Sequence, residues 1–413
     1  MKVLLVNKYH YVRGGSETYY FGLANLLKNA GHEVIFFAMQ DDRNFPCNQS
    51  EYFVSNVEFN GKLSVKQKVS AAFRMIYSTE AKKKFDKLLT DEKPDIIHIN
   101  LFHRVLTASI IDVAKKHKIP VVFTMHDVDC ICPNHTMLDH GKVCEDCIHG
   151  NYFNCIKKAC FKDSLSKSIM ASIESEYNKI SKLYNKIDLF ITPSEFFKMK
   201  LEESKLTKSP IICLRNFLPE GTTYNFHSEH DGYYLFFGRL SKEKGVMTLL
   251  KAINRLPMIE LRIAGTGEDE KNLREYVNDN SLQERVKFLG FLSGNKLENT
   301  IRKAKCIILP SEWYENGPYS IMEAMAAGKP VIVSNIGGLP EIVNSNKTGF
   351  ICNAFDSVSL AESIAKFEKL DDDSYAKMSK EAAIMAKAYF NSDDYLIKLI
   401  FQYETLIKHK GVR

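Results

Sequence analysis

Glu315-Asn316-Gly317-Pro318-Tyr319-Ser320-Ile321-Met322-Glu323-Ala324-Met325-Ala326-Ala327-Gly328-Lys329-Pro330-Val331-Ile332-Val333-Ser334 runs from a turn, through a small-residue helix, into a short apolar strand. Gly317-Pro318 breaks the chain, a helix begins near Tyr319, and Pro330–Ser334 reads as a strand covered on both faces. A helix feeding such a strand is the repeating unit of a parallel α/β sheet. The same passage places two carboxylates, Glu315 and Glu323, eight residues apart. First-turn amides of the helix suit an anion such as a diphosphate, and the neighbouring carboxylates suit sugar hydroxyls. A surface loop feeding a packing helix accounts for the spacing equally well, so the rest of the chain has to decide.

Outward from this stretch the pattern repeats. Apolar runs recur at Val3–Asn7, Glu33–Ala38, Asp95–Asn100, Pro120–Met125 and Leu189–Pro193. They resume at Tyr233–Phe237, Glu260–Ala264, Val286–Leu289, Cys306–Leu309, Pro330–Ser334 and Gly349–Cys352, with helix-length segments between them. The turn formers of Arg215-Asn216-Phe217-Leu218-Pro219-Glu220-Gly221 separate the two series. The expectation is α/β, with two Rossmann-like doubly wound domains: 1–211, containing a cysteine-rich insertion at 130–160, and 212–390. A last helical stretch, 391–413, caps the second domain or crosses back to the first. Ligands of such folds bind at the carboxyl ends of the strands, here in a cleft between the domains.

The 413 residues are enough for two domains with sizeable cores. Hydrophobic residues at 45% and charged residues at 26% describe a folded soluble chain. A net charge of +6, spread over intermixed acids and bases, argues against nucleic acid as a partner. The apolar run at Met1–Asn7 is too short for a signal peptide, and no stretch approaches a membrane span. The chain therefore reads as cytoplasmic, and disulfides are the weaker explanation of its ten cysteines.

Three loops carry the chemistry of anion binding. Gly14-Gly15 follows the first strand and lets backbone amides approach a phosphate, although the pattern is no dinucleotide fingerprint. The second domain opens with Phe237-Gly238-Arg239-Leu240-Ser241-Lys242-Glu243-Lys244-Gly245. The Arg239 guanidinium and the Lys244 ammonium could together neutralise a diphosphate. Gly265-Thr266-Gly267 is a further strand-end turn, suited to a nucleotide at the same edge.

Together with His126-Asp127 and the Glu315…Glu323 stretch, these motifs span the chain in order, and the chain resembles the large retaining glycosyltransferase family that includes sucrose and mannosyl transferases, family 4. The resemblance implies the GT-B arrangement of two Rossmann-like domains facing across a cleft, and a nucleotide-sugar donor held mainly by the second. It implies that Glu315 contacts donor-sugar hydroxyls, that Glu323 binds the ribose, and that Arg239 and Lys244 meet the diphosphate. Gly15 would complete the phosphate site and His126 would lie near the donor sugar. Gly14, Gly238, Gly265 and Gly267 belong to the same donor-binding set. Asn316-Gly317-Pro318 departs from the family, where many relatives carry a bulkier aromatic, and this leaves donor choice open.

The expected reaction is retaining transfer of a sugar to a glycan or lipid-linked acceptor, in surface polysaccharide or glycoconjugate synthesis. Glu315 is expected to accept sugar hydroxyls and not to act as a covalent nucleophile, with the leaving phosphate receiving the acceptor's proton. No cofactor is expected for catalysis. Asp127-Val128-Asp129 could hold a divalent ion, but it lies in the first domain, away from the basic pair. Six cysteines fall between Cys130 and Cys160. Cys144-x2-Cys147 has the spacing of a structural zinc chelate, with Cys132, Cys155 and Cys160 as further donors, while a redox pair or plain packing stays open. The basic run Lys62, Lys66, Lys68, Arg74, Lys82-Lys83-Lys84 and Lys87 suits the anionic inner face of a membrane or a solvated helix. A nucleotide-sugar epimerase, a phosphorylase and a non-catalytic nucleotide-sugar-binding protein are the competing functions.

Overall fold

The computed structural model describes residues 1–56, 73–226 and 228–411. The chain divides into two compact units. The first comprises the described parts of Met1–His140, then Cys144–Asn216 and the segment from Ser392 onward; the second comprises Gly141–Val143 and the described parts of Phe217–Asn391.

In the first unit, β1 (Lys2–Val6), β2 (Glu33–Phe37), β3 (Ile96–Ile99), β4 (Val121–Thr124), β7 (Leu189–Thr192) and β8 (Ile211–Cys213) form a sheet in the order β2-β1-β3-β4-β7-β8. Every neighbouring pair is parallel, with registers such as Val3↔Val34 and Val3↔Ile96. Val3, Leu4, Leu5 and Val6 are fully buried, as expected for a strand covered on both faces. Beyond β2 the sheet continues as one parallel bridge, Met39↔Val54. A two-stranded ribbon, β5 (Leu138–Asp139) with β6 (Lys142–Val143), lies in the cysteine-rich segment.

The helix Ser392–Gly411 belongs to the first unit. Tyr395, Leu399 and Tyr403 repeat at four-residue spacing and are buried, while Ile397 and Phe401 stay exposed. The buried face carries polar contacts as well as apolar ones. The Tyr403 hydroxyl lies 2.5 Å from His98 Nδ1, the His98 Nε2 lies 2.7 Å from Thr124 Oγ1, and the Tyr395 and Tyr19 hydroxyls meet.

The second unit repeats the design. β9 (Tyr234–Phe237), β10 (Leu261–Ala264), β11 (Val286–Gly290), β12 (Cys306–Leu309), β13 (Val331–Ser334) and β14 (Gly349–Cys352) pair in parallel, in the order β11-β10-β9-β12-β13-β14. The helix Tyr319–Ala326 begins directly after Pro318, which sits at its N-cap without a side-chain cap bond. Its small residues Ala324 and Ala326 are buried, which lets it pack closely on the helix Asp372–Phe390. Both units are thus Rossmann-like α/β domains. In each, the order of strand addition reverses about one strand pair, β1/β3 in the first and β9/β12 in the second, and this fixes where a ligand crevice opens.

Candidate functional site

At the second unit's switch point, the loop after β9 lies beside the loop after β12. Gly245, with φ of 69°, fits so closely that an added Cβ would stand 1.9 Å from the Pro310 carbonyl oxygen. Glu312 N donates to Glu243 O at 2.8 Å, and Thr248 Oγ1 donates to Glu312 Oε1 at 2.5 Å. This fastening delivers Lys244, at the end of the turn Lys242–Lys244, onto Glu315: Nζ to Oε1 is 2.6 Å. Ser311 Oγ donates to the same oxygen at 2.5 Å, and Gly338 N donates to Glu315 O at 2.8 Å. Glu315 is 4% exposed. Burial alone would raise its pKa, but the Lys244 charge and the bonds from Lys244 and Ser311 outweigh it and hold the carboxyl below its ordinary range.

Arg239 leaves the same loop with its side chain 57% exposed, and donates from Nη2 to Glu243 Oε1 at 2.9 Å. Four further guanidinium N–H donors remain on it for an anion. Glu323 sits half-buried on the Tyr319–Ala326 helix, its carboxylate without a hydrogen bond or ion pair to another described residue. Burial pushes its pKa up to about 7. Gly265 and Gly267 serve the protein's own backbone: added Cβ atoms would lie 1.9 Å from Gly238 O and 2.1 Å from Leu240 O. They therefore hold the Gly238–Leu240 loop close at this strand edge.

In the first unit, Gly14 is the N-cap of the helix Gly15–Asn29, and the nearest atom to an added Cβ there is Glu17 Oε2 at 3.9 Å. Glu17 itself is buried, bonded by Asn7 Nδ2 at 3.3 Å and Ser16 Oγ at 3.1 Å. His126 follows β4, with Nε2 2.9 Å from Asn100 Oδ1 and its ring 4.7 Å from that of Tyr19. Burial lowers its pKa to about 3, so the imidazole is neutral at pH 7. With Nε2–H donating to Asn100, Nδ1 is the acceptor.

Of the Asp127-Val128-Asp129 pair, Asp129 accepts from Arg104 Nη2 at 2.5 Å, and Arg104 N donates to Glu174 Oε1 at 2.8 Å. Burial, then the charge of Asp129, raises the Asp127 pKa. One of the two carboxylates considered for a divalent ion is thus committed to an arginine. Cys132, Cys144, Cys147, Cys155 and Cys160 all line one cavity of about 10 Å³, whereas Cys130 points its thiol at Met125 Sδ, 3.3 Å away. Among the described residues, no three or more His, Cys, Asp or Glu side chains already stand as a metal-holding group.

Lys62, Lys66 and Lys68 of the basic run lie outside the described residues. Two other cations of that run turn to the protein itself. Arg74 Nη2 pairs with Glu80 Oε2 at 2.7 Å, and Lys84 Nζ donates to Phe53 O at 2.5 Å. Among the described residues no helix is long and apolar enough to cross a membrane.

Sequence reasoning missed Ser311, Thr248, Glu312 and Gly338. Thr248, Glu312 and Gly338 act through contacts between separate loops, Ser311 bonds Glu315 within its own loop, and only Gly338, beside Gly337 after a strand, carried a readable signal.

Comparison with known proteins agrees with this geometry. Residues 13–219 match the model of Glycosyltransferase Family 4, and residues 224–385 match that of Glycosyl transferases group 1. The chain is 27% identical over 345 residues to an uncharacterized glycosyltransferase of Methanocaldococcus jannaschii, covering 81% of this chain and 80% of that one. It is 24% identical to the O-antigen chain mannosyltransferase B of Escherichia coli over 293 residues, 69% of this chain and 70% of the relative. The structure of Anabaena HepE in complex with UDP superposes with a TM-score of 0.69 at 18% identity, over 98% of this chain and all of that one, a likeness of fold. With both halves matched and the GT-B fold in place, the chain is a glycosyltransferase and belongs to family 4.

Proposed function

We propose that this glycosyltransferase is retaining and metal-independent, and moves a sugar from a nucleoside diphosphate to a glycan or lipid-linked acceptor in surface polysaccharide or glycoconjugate synthesis. The observation that carries the reading is the set of polar groups at the second unit's switch point. A half-buried Lys244 on a buried Glu315, an exposed Arg239 and a Glu323 carboxylate with no partner among the described residues surround a loop-and-helix platform. An unpartnered carboxylate in a half-buried place is unfavourable by itself and is stabilised by hydroxyl donors, which a ribose supplies.

In the transfer step the bond from the anomeric carbon to the diphosphate oxygen breaks, and the bond to the acceptor oxygen forms on the same face. The acceptor's proton passes to the departing phosphate. Arg239 and Lys244 meet the charge growing on that phosphate. Lys244 has three N–H donors, so pairing with Glu315 leaves donors for phosphate oxygens. Glu315 stays anionic because Lys244 and Ser311 hold it so, and it accepts hydroxyls of the donor sugar. Cationic side chains in place of a divalent ion, and the commitment of Asp129 to Arg104, support metal independence. Gly14, Gly15 and the neutral His126 of the first unit contribute to transfer by their match to the family pattern. The kinship with an O-antigen chain mannosyltransferase supports a surface glycan as product.

The test is a thermal-shift screen of nucleoside diphosphates and their sugars, followed by acceptor trials with the best donor. Charged, lipid-linked and free oligosaccharides make up the acceptor panel. The expected outcome is acceptor-dependent transfer that survives chelator, with the product's anomeric configuration, read by NMR, matching that of the donor. Conversion of free donor without acceptor would instead indicate an epimerase, and binding without turnover across the panel a non-catalytic protein.

A further inference from the structure

The cysteine-rich segment is built as though something besides its own core holds it. Its regular structure is the ribbon of two-residue strands and the six-residue helix Phe153–Lys158. Six non-glycine residues within it or just after it take positive φ: His135, Met137, His140, Ala159, Lys162 and Asp163. Each carries a steric cost that surrounding structure must offset. The buried cluster available for this is small, Cys147, Tyr152, Cys155, Phe161 and Ala171. All ten cysteines are free, so no disulfide does the work.

Small loop-rich folds are commonly stapled by a disulfide or a metal. Around the 10 Å³ cavity, room for one atom-sized guest, the thiols are already gathered. Cys155 and Cys160 Sγ are 3.4 Å apart, well beyond a bond and close to the spacing of about 3.8 Å between sulfurs that share a tetrahedral zinc with bonds near 2.3 Å. Cys132, Cys147 and Cys155 are buried. Cys144 and Cys160 are half-buried, and the Cys144 sulfur is engaged by Lys158 Nζ at 3.3 Å. We propose that Cys132, Cys147, Cys155 and Cys160 close around one thiolate-preferring divalent cation, zinc, with Cys144 outside the ligand set. The thiols do not yet stand at closed-centre spacing, so the ion draws them in, releasing their protons as it binds.

The experiment needs no activity assay, so it stands apart from the glycosyltransfer reading. The full chain, expressed in zinc-supplemented medium and dialysed, should retain about one zinc per chain by elemental mass spectrometry. Cobalt(II) reconstitution should give sulfur-to-metal charge-transfer bands. Cys144→Ser should keep the metal, and Cys147→Ser or Cys155→Ser should lose at least about tenfold in zinc affinity. Should a serine variant fail to fold, the wild-type chain still decides: zinc should protect four thiols from alkylation, and chelation should expose them and lower the unfolding midpoint by about 5 °C or more. Absence of bound metal together with no cobalt spectrum would overturn the proposal. So would a metal that Cys144→Ser abolishes and Cys155→Ser leaves in place.

Discussion

Around the first sheet's switch point, between β1 and β3, polar side chains bond to one another: the buried Glu17 carboxylate accepts from Asn7 and Ser16. His126 bonds Asn100 and packs on Tyr19, while His98 is held between Thr124 and Tyr403. At the second, beside β9 and β12, the groups are charged and only partly satisfied: Lys244 with Glu315, Arg239 on the surface, and the Glu323 carboxylate with no partner among the described residues. Two sheets of closely similar strand order thus open a crevice at the same topological place and equip it differently. Fold alone positions a site, and the loops after the strands decide its chemistry. A charged, under-satisfied crevice is what a diphosphate and a ribose would complete.

Removal of Glu315 should break this contrast most severely. Glu315→Ala is expected to lower transfer at least about a hundredfold, roughly 3 kcal/mol at the transition state, while circular dichroism and thermal unfolding show a retained fold. Near-normal transfer by a folded variant would refute the assignment of Glu315.

Lys244→Met sharpens the point by leaving the Glu315 carboxylate buried and unpaired, at a cost of about 3 kcal/mol in stability near pH 7. The sign of the pH dependence should also change. In the wild type the Glu315 pKa is depressed, so its contribution is present above the ordinary carboxylate range and lost as pH falls through the folded value. Without Lys244, burial dominates and the pKa rises. Stability should then decline as pH climbs above about 4.5. Unfolding midpoints from pH 4 to 8 would test this, and parallel curves for the two proteins would count against it.

A smaller effect is expected at Glu323. Its pKa of about 7 predicts that ribose binding strengthens as the carboxyl ionises between pH 6 and 8. Glu323→Gln should weaken nucleoside diphosphate affinity about tenfold, or 1.4 kcal/mol, and flatten the part of the pH profile it causes. Calorimetric titration of both proteins across that range isolates this part from the phosphate's own ionisation. Smallest of all, Tyr403→Phe removes a partner of His98 and should lower stability by about 1 kcal/mol with nucleotide affinity unchanged. A clear loss of affinity would show that the two switch points are less separable than their chemistry suggests.

The strands were legible because each core run is short, apolar and flanked by turn formers, as in Val3–Asn7 or Cys306–Leu309. β8 escaped notice because Ile211–Cys213 is a three-residue edge strand, only half-buried. The attachment of the C-terminal helix rests on Tyr395 and Tyr403 meeting Tyr19 and His98, contacts between residues some 300 positions or more apart that no local pattern encodes. The site was readable as separate motifs and not as a joined one. Glu315 and Lys244 each had a phosphate or sugar role on paper, while their direct pairing depends on Gly245 fitting against Pro310. Likewise the cysteine spacing marked five candidates, and what it could not show is that all five line one cavity, with the Lys158 ammonium on the Cys144 sulfur.

The most direct test is a co-crystal structure of the full chain with the nucleoside diphosphate that binds best. The account predicts diphosphate oxygens within hydrogen-bond distance of Arg239 and Lys244, and ribose hydroxyls on the Glu323 carboxylate. A nucleotide bound with none of these three residues in contact would contradict it.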